Sequence, residues 1–199
     1  MIVNISNVNH SISDEVVCFT NNNNLICKFK QNSIIYRRGD SIVYNSDYVF
    51  SDNSRYKIVR KKGWKTDIPR IYLDDIEIGE YKYTYKLRFL EKEYKFYIYY
   101  KSKIVYIIVY LGETLVGEIV KNNGQNVSNN IYDYTVYFEN KENLRPLIFR
   151  TNLFHEQVYR NFGIDLQPRK IAFNISNKGK KMLDLSYIER IKSMNKIID

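Results

Sequence analysis

Tyr81-Lys82-Tyr83-Thr84-Tyr85-Lys86-Leu87-Arg88-Phe89 alternates at every step between an aromatic or apolar side chain and a polar or cationic one. A period of two is that of a strand with one face buried, so the stretch is expected to form a strand. Tyr94–Tyr100 repeats the pattern, with Tyr94, Phe96, Ile98 and Tyr100 sharing one face. Ile104–Tyr110 is apolar on both faces and is expected to lie deepest, and Leu115–Val120 closes the set. The residues from Tyr81 to Lys121 therefore predict a meander of antiparallel strands on which the rest of the chain is organised.

Outward from this centre the same rhythm continues. Short strands are expected at Met1–Val8, Val16–Thr20, Leu25–Phe29, Ser33–Tyr36, Ser41–Tyr44, Tyr48–Phe50, Tyr56–Val59, Ile71–Leu73 and Glu77–Glu80. Beyond the meander Ile131–Glu139 alternates again. Pro146 precedes Leu147–Phe149, where a residue without an N–H suits the start of a strand, and Ile171–Ile175 completes the series. One helix is expected over Asn152–Phe162, with Thr151 or Asn152 as its cap and Gly163 as its stop. A second, amphipathic one is expected over Leu183–Ile198, with Leu185, Ile188, Ile191, Met194 and Ile198 on one stripe, after a turn at Asn177-Lys178-Gly179. The fold class that follows is mainly β: an antiparallel meander forming a barrel or sandwich, with one or two short helices near the C terminus. A chain of 199 residues fits one β-rich domain, 1–199, with 1–54 as an N-terminal subregion.

Hydrophobic residues make up 44% of the chain and 19 residues are tyrosine, enough to build a core whose members keep a polar tip. With only 8 Gly and 3 Pro, the turns must rely on Asn, Asp and Ser. Cys18 and Cys27 flank Asn21–Asn24 in a predicted hairpin. With no leader-like apolar start, a reducing, cytoplasmic setting and free buried thiols are expected. No run approaches the roughly 18 apolar residues of a membrane span.

The formal charge of +9 favours polyanionic partners. Its densest patch is Arg55, Lys57, Arg60, Lys61, Lys62 and Lys65 around the single tryptophan, Trp64. Cations beside an aromatic suit phosphates with a stacked base, or a lipid headgroup with the indole at the interface. The bland alternative makes Trp64 a core anchor and the lysines a solvated turn. Asp74-Asp75 sits at a turn and lacks the convergence that paired carboxylates need for hydrolysis or a divalent ion. His10 and His155 have no metal-ligand spacing, and Gly112, Glu113 and Gly117 form no phosphate loop. No catalytic motif and no cofactor are therefore expected.

Ile76-Glu77-Ile78-Gly79-Glu80-Tyr81, then Leu115-Val116-Gly117-Glu118-Ile119-Val120-Lys121, an Asn-rich loop and Tyr134-Thr135-Val136-Tyr137 resemble the tubby C-terminal-like group over about residues 70–163. That group includes phospholipid scramblase-like and LURP-one-like proteins. The resemblance implies a closed barrel around a helix apolar nearly all round. Neither expected helix fits that description, since both are polar on one side, and the phosphoinositide-binding residues of the eukaryotic members match no motif here. The function expected is a non-enzymatic intracellular binding module, at an anionic membrane surface. The alternatives are a nucleic-acid binder using the 55–65 segment, or a structural subunit of a viral, phage or homo-oligomeric particle with a protein partner.

Overall fold

The structure, a computed structural model, describes residues 1–7, 15–20, 22–35, 42–61, 68–82, 85–101, 104–122, 133–162 and 177–196. Twelve strands are present among them: β1 Ile2–Asn7, β2 Glu15–Thr20, β3 Leu25–Ile35, β4 Ile42–Phe50, β5 Arg55–Lys61, β6 Arg70–Leu73, β7 Ile76–Lys82, β8 Lys86–Phe89, β9 Lys92–Lys101, β10 Ile104–Leu111, β11 Thr114–Asn122 and β12 Asp133–Phe138. Each pairs antiparallel with its neighbours in sequence, and β1 pairs with β12, so the sheet closes into a barrel with no free edge. Three helices follow: α1 Leu144–Phe162, α2 Asn177–Met182 and α3 Leu185–Lys196.

Several expected boundaries move. Leu25–Phe29 and Ser33–Ile35 of the expected Ser33–Tyr36 merge into β3, and Ile42–Tyr44 of the expected Ser41–Tyr44 merges with Tyr48–Phe50 into β4; Tyr36 and Ser41 lie outside the described residues. Tyr81–Phe89 is a hairpin and not one strand: β7 and β8 pair Tyr81 with Leu87 and Lys82 with Lys86. The alternation survives because residues of both strands keep the same inward parity across the turn. Tyr81, Leu87 and Phe89 are buried, whereas Tyr85, at the turn, is half exposed. Ile171–Ile175 lies outside the described residues.

The larger correction concerns Leu147–Phe149. It is helix, not strand, and α1 begins at Leu144, not near Asn152. Its residues Leu147 to Phe154 are all buried, without an exposed stripe, and its apolar members join one core with inward residues of the strands. The helix runs inside the barrel. An eight-stranded barrel is about filled by its own side chains, and twelve strands leave room for a helix. Only a helix fits there, because a segment enclosed by a closed sheet has no neighbour for its backbone N–H and C=O groups and must pair them internally. Pro146 falls in the first turn, where an N–H has no intrahelical acceptor. Asn177-Lys178-Gly179, expected as a turn, opens α2.

Polar residues inside α1 are absorbed locally. Thr151 Oγ1 donates to Leu147 O at 2.9 Å, and Asn152 Nδ2 donates to Tyr48 Oη at 2.5 Å and Ser46 Oγ at 3.0 Å. Arg150 is fully buried, its guanidinium 5.1 Å from the Phe96 ring centre and 5.7 Å from that of Phe154. Burial pulls its pKa down to about 10, opposed by the nearby Tyr81 and Tyr134 hydroxyls. Three glycines, Gly79, Gly117 and Gly179, make close approaches. A Cβ on Gly117 would meet both Leu147 methyl carbons at 2.8 Å, and one on Gly79 would meet Arg88 O at 2.5 Å.

Cys18 and Cys27 are directly opposed on β2 and β3, buried and free. Ile104–Tyr110 is indeed deep: Val105 to Val109 are buried on both faces, the inner by the core and the outer beneath α2 and α3. Two tight turns place both central residues in the left-handed region: Asp74 and Asp75 (φ 47° and 67°) and Leu90 and Glu91 (47° and 64°). Aspartate tolerates this region and leucine does not. Leu90→Asn is expected to raise the unfolding free energy by about 1 kcal/mol, read as a shift of the urea midpoint.

Candidate functional site

The basic segment lies on β5, and the strand decides where its cations go. Tyr56 and Ile58 point into the core, and Arg55 and Lys57 are exposed. Cross-strand register sets Lys57 between Asp47 of β4 and Tyr72 of β6, and Arg55 opposite Val49. With Asp74 and Asp75 these residues line an open cleft of about 380 Å³. Two cations there face three carboxylates, so the first half of the segment presents a balanced surface and not a cationic one. Opposite charges directly across a sheet contribute only about 0.2–1 kcal/mol. Lys61 ends β5 at the other rim of the barrel, about 20 Å from Arg55 at roughly 3.3 Å per residue. Lys62, Trp64 and Lys65 lie outside the described residues. The four described residues are therefore spread along β5, with Arg55 and Lys61 at opposite ends of the strand.

What sequence order concealed is a segregation of charge between the two rims. The near rim, where α1 enters, carries the turns between β2 and β3, β4 and β5, β6 and β7, β8 and β9, β10 and β11, and the connection to α1. Those connections hold Asp52, Asp74, Asp75, Glu91, Glu113, Glu139 and Glu142 against Lys141, and the strand ends at this rim include the cations Arg55 and Lys92. Three of the acids are spoken for: Arg145 pairs with Asp52, Lys92 with Glu142 at 2.9 Å, and Arg190 with Glu139 at 2.6 Å. Ser54 and Arg145 hold the Asp52 carboxyl below its ordinary pKa.

At the far rim twelve strand ends meet. Lys61, Arg70, Lys82, Lys86 and Lys101 are five of those terminal residues, and only Glu15 and Asp133 are acidic. Arg70 pairs with Glu77, Lys82 with Glu80 and Lys86 with Glu93; Glu80 and Lys86 are partly buried and the other four are exposed, where such pairs are weak. The signal was present in the sequence, but only the alternation of strand direction sorts every second connection to one end. Lys82, Lys86, Arg70 and Lys101, which linear reading did not single out, join Lys61 by this topology.

Among the described residues no cluster of His, Cys, Asp and Glu is arranged to hold a metal ion, and no helix is long and apolar enough to cross a membrane. Comparison of the sequence with protein-family models and with curated proteins, and of the fold with solved structures, finds no match.

Proposed function

We propose that the chain is a non-enzymatic binding module that engages an anionic lipid surface through the far rim of its barrel. The observation that carries this is the sorting of charge along the barrel axis, with Lys61, Arg70, Lys82, Lys86 and Lys101 at one end and the acidic turns at the other. A dipolar body is steered with its basic end toward an anionic plane. Cations spread around a rim suit a planar array of headgroups better than the aligned phosphates of a single strand, which favour a groove lined with stacking aromatics. The chain is further proposed to belong with the tubby C-terminal-like barrels. A sheet closed around α1 supports that placement, as do the close approaches at Gly79 and Gly117 within the resembling stretches.

The test is co-sedimentation with phosphatidylcholine vesicles, with and without phosphatidylserine, over a range of salt. Retention is expected only with the anionic lipid and should fall as salt rises. Each lysine near such a surface contributes about 1 kcal/mol. Reversing Lys61, Lys82, Lys86 and Lys101 to glutamate together should therefore weaken binding by at least about 4 kcal/mol. Reversing Arg55 and Lys57 should change it far less. Absence of retention at low salt would refute the membrane assignment, and retention of a labelled oligonucleotide in its place would assign the rim to nucleic acid.

A further inference from the structure

The outer face of β10, β11 and β12 is covered by the C-terminal helices, and a carboxyl group lies beneath the cover. Glu118 of β11 points away from the barrel core yet is fully buried. Its cross-strand neighbours are Ile108 and Tyr137. One carboxyl oxygen accepts the Asp184 N–H at 3.2 Å, and the other has no hydrogen-bond partner among the described residues. Asp184 is the residue that starts α3: its Oδ1 accepts from Ser186 N at 3.0 Å and Ser186 Oγ at 2.5 Å, and its carbonyl accepts from Tyr187 N. Glu118 is therefore attached to the first turn of the helix that covers it.

Burial and the Asp184 charge act against an ionised carboxylate at that site. Tyr106 and Tyr110 come from β10 and Tyr137 from β12. Asp184, at the head of α3, adds a second negative charge. From α3 itself come Tyr187, Glu189, Arg190 and Lys192. The two cations are engaged elsewhere, Lys192 Nζ with Glu189 at 2.9 Å and Arg190 with Glu139 at 2.6 Å. Met182 O accepts from Tyr110 Oη at 3.5 Å, so the segment joining α2 to α3 is fastened on both sides of Glu118.

We propose that Glu118 is a proton-controlled latch: protonated, it holds α3 and the segment leading into it on the outer face of the barrel, and ionised, it releases them. Burial lifts the Glu118 carboxyl from 4.5 to about 7, opposed by the hydrogen bond from the Asp184 N–H and reinforced by the charge of the Asp184 carboxylate. A carboxyl raised in the docked state binds its proton more tightly there than when exposed. Docking is therefore strongest at low pH and weakens as pH climbs from near 4.5 through about 7. Release uncovers Ile2, Leu115 and Tyr137 on the barrel and Tyr187, Ile188 and Ile191 on the helix, an apolar seam that is otherwise closed. The barrel does not depend on this seam, because its core lies inside the sheet.

The experiment is hydrogen exchange followed by mass spectrometry between about pH 5 and about pH 8, corrected for the intrinsic exchange rate, on the full chain and on Glu118→Gln. In the wild type, protection of α3 relative to the strands should fall on the order of a hundredfold across this range while the strands hold. Glu118→Gln, which keeps an acceptor for the Asp184 N–H, should hold α3 protected and flat. Asp184→Asn, which removes the repulsion on an ionised Glu118, should shrink the fall in α3 protection and make it level off at a lower pH. Wild-type protection of α3 that tracks the strands at every pH would overturn the proposal, as would an unchanged pH response in Glu118→Gln. The wild-type arm decides the matter even where a variant folds poorly.

Discussion

Phe149→Ala should lower the unfolding free energy by about 3–5 kcal/mol, the range for truncating a buried phenylalanine. Phe149 is the hub of the interior. Its ring lies 4.9 Å from that of Tyr48, 5.4 Å from Tyr56, 5.8 Å from Phe89 and 6.1 Å from Phe50, mostly edge to face. Those partners come from β4, β5 and β8, so one side chain on α1 ties three strands to the helix. The surrounding sheet is closed by hydrogen bonds and cannot collapse onto the void, which puts the expected loss toward the upper part of the range. Urea unfolding with intrinsic fluorescence and far-UV circular dichroism measures it. A loss below about 1 kcal/mol would mean that α1 is not enclosed.

Gly117→Leu is the second large effect. The methyl carbons of Leu147 leave no space for a Cβ at Gly117, and a leucine must displace the central helix or bend β11. Overpacking of this kind costs about 3 kcal/mol, the upper end of its usual range. Gly112 is the control. It lies at φ 62° with nothing within 4 Å of where a Cβ would sit, so Gly112→Ala incurs backbone strain alone, about 1 kcal/mol. Equal losses at the two glycines would remove the steric account of Gly117. Gly179 offers a third comparison on the outside of the barrel, where a Cβ would come within 2.4 Å of Ile98 O. A side chain there should lift α2 from β9 and leave the interior intact.

The strands were legible because most are wetted on one face, and a period of two survives wherever that holds. β9 shows it, with Tyr94 and Phe96 buried between partly exposed neighbours. Closure of the sheet was not legible, because no local pattern records that β1 pairs with β12. The central helix was hidden for a related reason. Amphipathic spacing marks a helix that has one side in water, and Leu147 to Phe154 has none. Its apolar run resembles a strand, and Arg150, Thr151 and Asn152 resemble the polar start of a helix. Their burial depends on partners contributed by distant strands, as with Tyr48 and Ser46 for Asn152. The family resemblance implies a helix apolar nearly all round, and here three polar residues are accommodated inside instead.

The basic segment was legible as composition but not as a surface. Contiguity from Arg55 to Lys65 suggests one patch, whereas the extended strand β5 separates Arg55 from Lys61 and points successive residues to opposite faces. The rim cations come from β5, β6, β7, β8 and β9, and the fold gathers them by alternating strand direction. Glu118 is unremarkable in the sequence, one acid in a strand. Its environment is made by helices that follow it by more than sixty residues, as its contact with Asp184, 66 positions away, shows.

The seam that closes the sheet joins Ile2 to Tyr137 and Asn4 to Thr135. During synthesis the first strand therefore waits for the last, and the growing chain carries two unpaired edges until β12 has emerged. Such edges readily pair with a neighbouring copy, and contacts so far apart in sequence form slowly. A ribosome stalled within the connection after β11 would expose a nearly complete sheet without its closing strand or its central helix. Aggregation during expression is thus expected to depend on the speed of translation through the β11–β12 region more than on the stability of the finished barrel.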